Sequence, residues 1–145
     1  MIFEDIRKGM VENQLRANKV SNKLVSNAFL EIPRERFVPK KLIELAYIDE
    51  DIKITENRYM MKPMILGQFF QYLQLLGSET VLHIGSNTGY ASAVLSRLVS
   101  AVICIESDKK LYEKSINVLN ELNIDNVIPI NSPMGQGFEK EAPYD

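Results

Sequence analysis

From Thr80 onward the chain alternates short apolar runs with longer amphipathic stretches, and this alternation constrains its fold more than any other feature. "TVLHI" (80–84), "AVICIE" (101–106) and "NVIPI" (126–130) have strand length and strand composition. Between them, "YASAVLSRL" (90–98) and "DKKLYEKSINVLNELN" (108–123) place apolar residues at helical spacing. Strands separated by helices of this length pair in parallel through right-handed crossovers. The expected class is therefore α/β, with three parallel strands in residues 78–145 and a separate helical region in residues 1–77. The 145 residues suffice for a hydrophobic core without staples.

The helical region reads as follows. "DIRKGMVENQLRA" (5–17) puts Ile6, Met10, Val11 and Leu15 on one face. Ser21 or Asn22 caps "KLVSNAFLEI" (23–32), which must stop before Pro33. "PRERFVP" (33–39) is bracketed by prolines and reads as a rigid connector, with Arg34, Glu35 and Arg36 solvated or paired. "KKLIELAY" (40–47) is a short amphipathic helix. Pro63 suits the first turn of a helix over "MILGQFFQYLQLL" (64–76), and Gly77 is placed to end it. That helix is apolar on most sides and is expected to lie buried against the sheet, with Met60, Met61 and Met64 as core filler.

Composition narrows the functional classes. A formal net charge of -2 and a pI near 5.5 give no electrostatic reason to expect nucleic acid or an anionic membrane as partner. The single Cys104 allows no intrachain disulfide framework and suits a reducing cytoplasm. Its place in an apolar strand reads as a buried, inert thiol. One histidine and one cysteine are too few soft ligands for a zinc site, so no metal is expected. No apolar run reaches the roughly 20 residues of a membrane span, and the opening "MIFEDIRKGM" carries no signal-like apolar region.

The most informative segment is "HIGSNTGY" (83–90), a glycine-bearing turn between the first strand and its helix. Ligands of open parallel sheets sit at the carboxyl ends of the strands. Gly85 permits a sharp turn, Gly89 permits close approach of helix and strand, and the following helix begins with unpaired N–H groups. Glu106 ends the second strand 21 residues after Gly85, where a carboxylate can take both hydroxyls of a ribose. The spacing G-x-x-x-G lacks the pyrophosphate fingerprint G-x-G-x-x-G, which favours a nucleoside cofactor over a dinucleotide. His83 reads as a packed strand residue, since nothing nearby in sequence would orient it.

Six strings then carry a resemblance: "IPRERFVP" (32–39), "AYIDEDIKI" (46–54), "VLHIGSNTGYASAVLSRLV" (81–99), "IESD" (105–108), "DNV" (125–127) and "APYD" (142–145). Together they resemble the protein-L-isoaspartate O-methyltransferase family, and "MVENQLRANKV" (10–20) resembles a divergent alphaproteobacterial-type branch of it. The resemblance implies a Rossmann-like S-adenosylmethionine methyltransferase fold, represented here by its first three strands, with a helical region on the acceptor side. It implies methyl transfer from S-adenosylmethionine to isoaspartyl carboxylates of damaged proteins. Gly85, Ser86, Asn87 and Gly89 fall on the family's cofactor loop, and Glu106 falls on its ribose-binding acid.

The departures are specific. His83 stands where the family has an acid near the methionine end of the cofactor, and Asn87 stands at the loop's middle glycine. Tyr59 and Met61 occupy the threonine and serine positions of the acceptor segment, so no catalytic side chain is assigned. Ser132-Pro133-Met134 replaces a G-D-G whose aspartate lies close to the adenine. Asp145 falls where the family would enter its fourth strand. Two alternatives to an active methyltransferase follow: a nucleoside-binding module without methyl transfer, or a structural and interaction module. An uncovered edge on strand 80–84 leads to the further expectation of a homodimer.

Overall fold

A computed structural model describes residues 2–145. The first amphipathic stretch folds as α1 (Ile2–Met10), continued by a π-helical turn over Val11–Leu15 and a 3-10 turn over Arg16–Asn18. Met10, Val11 and Leu15 are buried, but Ile6 is exposed. A stripe read at 3.6 spacing does not persist through a wider turn, and Arg7 takes an inward position on α1. Its guanidinium donates to the Tyr47 hydroxyl (3.0 Å) and to the Leu30 carbonyl (3.1 Å) and pairs with Glu35 at 3.4 Å. The Tyr47 hydroxyl also donates to Glu35, and burial next to that carboxylate holds the phenol well above its ordinary pKa.

Asn22 caps α2 (Lys23–Glu31), its side-chain oxygen accepting from the N–H groups of Leu24 and Val25 at 2.9 and 3.2 Å. The helix ends as extended backbone at Ile32, the conformation that Pro33 imposes on the residue before it. The structure makes the reading of the next segment specific. The rigid connector is a 3-10 turn over Arg34–Phe37, and of the two options for Arg34, solvated or paired, the structure has it paired and fully buried. Its Nε donates to the Ala46 carbonyl (2.6 Å) and its Nη2 to the Met61 carbonyl (3.1 Å). "KKLIEL" forms a 3-10 helix over Lys40–Leu45.

An antiparallel hairpin, β1 (Ile52–Thr55) and β2 (Arg58–Met60), follows and was not read from the sequence. Its strands are short, and only the Ile52–Met60 pair is buried. Pro63 starts α3 (Pro63–Tyr72) as expected, but the helix ends well before Gly77, with Gln74 already at φ +52°. The expected burial of α3 on most sides is also corrected. Leu66, Gly67 and Phe70 face inward, with Gly67 against Leu15 and Val20 and the Phe70 ring 6.2 Å from that of Phe29. Ile65, Phe69, Tyr72 and Leu73 are exposed, and so is Met61, whereas Met60 is core. One compact unit ends at Gln74 and a second runs Leu75–Asp145.

In the second unit the three apolar runs form β3 (Thr80–Ile84), β4 (Ala101–Ile105) and β5 (Val127–Ile130), all parallel in the order β3-β4-β5. The β-branched middle strand is sealed on both faces, with Val102, Ile103, Cys104 and Ile105 essentially inaccessible. Pro129 lies on β5, where an edge strand tolerates the missing N–H. The crossovers are α4 (Tyr90–Leu95) and α5 (Lys109–Glu121). Asp108 caps α5 by accepting from the N–H groups of Lys110 and Leu111 at 2.9 and 3.1 Å. On the flank of β3 away from β4, Asp145 bonds Thr80 in both directions, each at 2.9 Å. Among the described residues, no helix is long and apolar enough to cross a membrane.

Candidate functional site

The turn after β3 folds over the carboxyl end of β4. Gly85, at φ +79°, brings its own N–H and that of Ser86 onto the carbonyl of Ile105 at 2.8 and 3.0 Å. Asn87 follows at φ +59°, a left-handed conformation that asparagine adopts more readily than most residues. Its N–H donates to Glu106 Oε2 at 2.8 Å. Gly89, at φ +97°, closes the turn by donating to the Ser86 carbonyl (2.9 Å) and leads into α4.

Glu106 is only 1% exposed. Its second oxygen, Oε1, accepts from the Asp108 N–H at 3.0 Å, so the carboxylate is aimed by backbone from two sides. Asn131, just past β5, donates its side-chain N–H groups to the carbonyls of Glu106 (2.9 Å) and Ser107 (3.3 Å). The five residues singled out in sequence, Gly85, Ser86, Asn87, Gly89 and Glu106, are thus brought into one arrangement. An ionised carboxyl has about four acceptor sites, of which these backbone N–H groups of Asn87 and Asp108 use two.

Several buried polar atoms around this turn have no hydrogen-bond partner among the described residues: both amide atoms of Asn87, the Thr88 hydroxyl and the Ser132 hydroxyl. An unsatisfied buried donor or acceptor costs about 1–3 kcal/mol. Three of these atoms lie on the turn itself, where a polar ligand such as a nucleoside would complete them. Met134 lies against the same turn, its sulfur 3.6 Å from where a Cβ on Gly85 would stand. The segment that replaces G-D-G therefore offers a thioether here.

His83 is oriented after all. Its Nδ1 lies 2.7 Å from the hydroxyl of Ser92, which α4 folds back over the strand. Burial lowers the imidazole pKa, and the Glu106 charge opposes that shift. Cys104 is buried as expected. Burial pushes its thiol up, with the Ser86 and Ser92 hydroxyls pulling the other way.

The lowered folded-state pKa of His83 has a stability consequence. As pH falls through the ordinary histidine range near 6.5, the unfolded chain takes up a proton that the folded chain refuses. Stability is therefore expected to fall with pH across that window, by no more than about 1.4 kcal/mol per pH unit for one proton. Urea titrations at several pH values should give a steeper slope for the natural chain than for His83→Gln. Equal slopes would assign the titration to another group.

On the acceptor side of the resemblance, Tyr59 and Met61 are both exposed, and Pro63 is buried in the first turn of α3. The backbone here is fixed from two directions. Asp51 accepts from the Lys62 N–H at 2.8 Å, and Arg34 holds the Met61 carbonyl. Sequence reasoning missed Arg34, Ser92 and Asp51 as organising residues. A proline-bracketed arginine was the one local signal, and it does not reveal its distant partners.

A family profile described as protein-L-isoaspartate(D-aspartate) O-methyltransferase matches residues 6–145. The chain is 38% identical over 141 residues to protein-L-isoaspartate O-methyltransferase 2 of Anaeromyxobacter sp. (strain Fw109-5), matching 97% of this chain and 58% of that protein. It is 32% identical to the protein-L-isoaspartate O-methyltransferase of Aliivibrio fischeri (strain MJ11), with 96% and 67% covered. The chain spans about three fifths of the length of such relatives. A solved protein-L-isoaspartate O-methyltransferase superposes with a TM-score of 0.86 at 29% identity, covering 96% of this chain and 46% of that one. A Plasmodium falciparum structure determined with S-adenosyl-L-homocysteine superposes with a TM-score of 0.78 at 22% identity, covering 93% and 66%, a likeness of fold alone.

Proposed function

The chain belongs to the protein-L-isoaspartate (D-aspartate) O-methyltransferase family, and from that premise we propose that it binds S-adenosylmethionine at the β3–α4 turn and serves methyl transfer to isoaspartyl carboxylates. The observation that carries this reading is the Gly85–Asn87 turn folded onto the buried carboxylate of Glu106. In this reading Gly85, Ser86, Asn87 and Gly89 form the floor under the cofactor, and Glu106 accepts from its ribose hydroxyls.

S-adenosylmethionine supplies an electrophilic methyl group on a sulfonium. The acceptor is a carboxylate, already ionised at neutral pH. That carboxylate would take the methyl group as its methyl ester, with S-adenosylhomocysteine leaving as the neutral thioether. Such a step needs no general base, so the protein's contribution is alignment of two reactants, which can supply much of a rate enhancement. This accounts for a site with no assigned acid–base residue. Alignment is also where Tyr59 and Met61 matter, because a thioether cannot orient a carboxylate as a hydroxyl does.

We expect S-adenosylhomocysteine to bind the 145-residue chain weakly, above micromolar dissociation constants, in titration calorimetry. Radiolabelled methyl transfer to an isoaspartyl peptide should be slow and should rise in Met61→Ser. No heat at millimolar ligand would sink the cofactor reading. Binding with no methyl ester formed by either protein would leave a nucleoside-binding module. A cytoplasmic location fits the lone buried thiol. β3 is an end strand of the described sheet, met on its outer flank by Asp145 at Thr80, so a second copy pairing along residues 81–84 belongs to the same proposal. A mass that stays monomeric in light scattering across a concentration series would remove that part.

A further inference from the structure

Asn87 combines two unfavourable features. Its backbone sits at φ +59°, where glycine would meet no side-chain penalty, and both atoms of its carboxamide are buried without a hydrogen-bond partner. A side chain that serves only to fill space would be better replaced by glycine here. The amide is explained if a ligand completes it.

The neighbouring chemistry identifies the ligand group. The Asn87 N–H is bonded to Glu106 Oε2 at 2.8 Å, so its side chain starts two bonds from a nitrogen in contact with that carboxylate. An ionised carboxylate only accepts, and it can take the protons of a vicinal diol but offers nothing to the diol's oxygens. The carboxamide of Asn87, carried by the residue whose backbone N–H meets that carboxylate, can supply the missing donor. We propose that the Asn87 carboxamide donates to a ribose hydroxyl whose proton goes to Glu106, making Asn87 a specificity-determining residue for ribonucleosides over 2′-deoxyribonucleosides. This rests on the reading of the turn as a nucleoside site and adds a role for the side chain that replaces a glycine. Met134 lies over the adjacent Gly85, and an unbranched thioether can turn aside to admit the ligand.

The test uses the 145-residue chain, with S-adenosylhomocysteine in calorimetry and with adenosine and 2′-deoxyadenosine in amide-detected NMR titrations. Asn87→Gly relieves the left-handed backbone, so its melting temperature should equal or exceed that of the natural chain. Its dissociation constant for S-adenosylhomocysteine should nonetheless rise about five- to tenfold, the worth of one hydrogen bond. The preference for adenosine over 2′-deoxyadenosine should shrink by a similar factor. Asn87→Asp keeps a side chain that tolerates this backbone but removes the donor, and it should bind no better than the glycine variant. Equal or tighter binding by Asn87→Gly, or an unchanged ribose preference, would overturn the proposal while leaving the nucleoside site standing. Absence of binding by the natural chain itself would overturn the site and this proposal together, before any variant is compared.

Discussion

Arg34→Met should cost the chain about 3 kcal/mol or more of folding stability, read as a lowered urea midpoint at unchanged slope. Arg34 is fully buried, and its guanidinium bridges the carbonyls of Ala46 and Met61, 12 and 27 residues away. A hydrogen bond involving a charged group contributes about 1.5–3 kcal/mol, and two are lost together. Methionine replaces most of the aliphatic stem, so the effect isolates the polar head rather than a cavity. Arg34→Lys should recover only part of the loss, because an ammonium is a compact donor that does not span two carbonyls as the planar fork does. Typical domain stabilities are about 5–15 kcal/mol, so this change removes a large share. A methionine variant as stable as the natural chain would mean that the bridge contributes nothing net. Amide exchange at Met61 and Lys62 should accelerate in parallel, since the segment at Met61 is one of the two stretches of chain the arginine joins.

Arg34 also marks the boundary of what this sequence reveals. The strands of the second unit were legible because β-branched apolar runs bounded by turn residues have few other uses, and Asn22 and Pro63 announced their helices through local chemistry. An arginine between prolines reads as solvated or paired until carbonyls far along the chain are brought to it. The same holds for His83, whose orienting hydroxyl on Ser92 arrives only when α4 folds back. The hairpin of β1 and β2 is hidden by its brevity, since the alternation Ile52-Lys53-Ile54-Thr55 spans four residues and its partner Arg58–Met60 only three. For α3 the error ran the other way. An all-round apolar composition implies burial, yet of α3 only Pro63, Leu66, Gly67 and Phe70 are buried. The left-handed backbone of Asn87 was foreseeable from residue type, whereas the unpartnered state of its amide depends on everything packed around it.

Glu106→Gln should lower S-adenosylhomocysteine affinity about a hundredfold and destabilise the fold by about 2 kcal/mol, although the side chains have the same shape. In the natural chain each carboxylate oxygen faces a backbone donor, Asn87 N–H on one side and Asp108 N–H on the other. A glutamine has one oxygen, so whichever way its amide turns, an NH2 group confronts one of those N–H groups. That leaves a buried donor unsatisfied and loosens either the cofactor turn or the entry to α5. Glu106→Ala removes both acceptors at once and should destabilise more. The ligand side adds a separate loss, because ribose hydroxyls donate less strongly to a neutral amide than to a carboxylate. Denaturation and calorimetry on the same variant separate the two roles. If Glu106→Gln loses stability but binds S-adenosylhomocysteine undiminished, Glu106 serves only to brace the turn, and the ribose contact must be sought elsewhere. If it binds a hundredfold more weakly while Asn87→Gly loses only five- to tenfold, the carboxylate is the principal ribose contact and the amide its accessory.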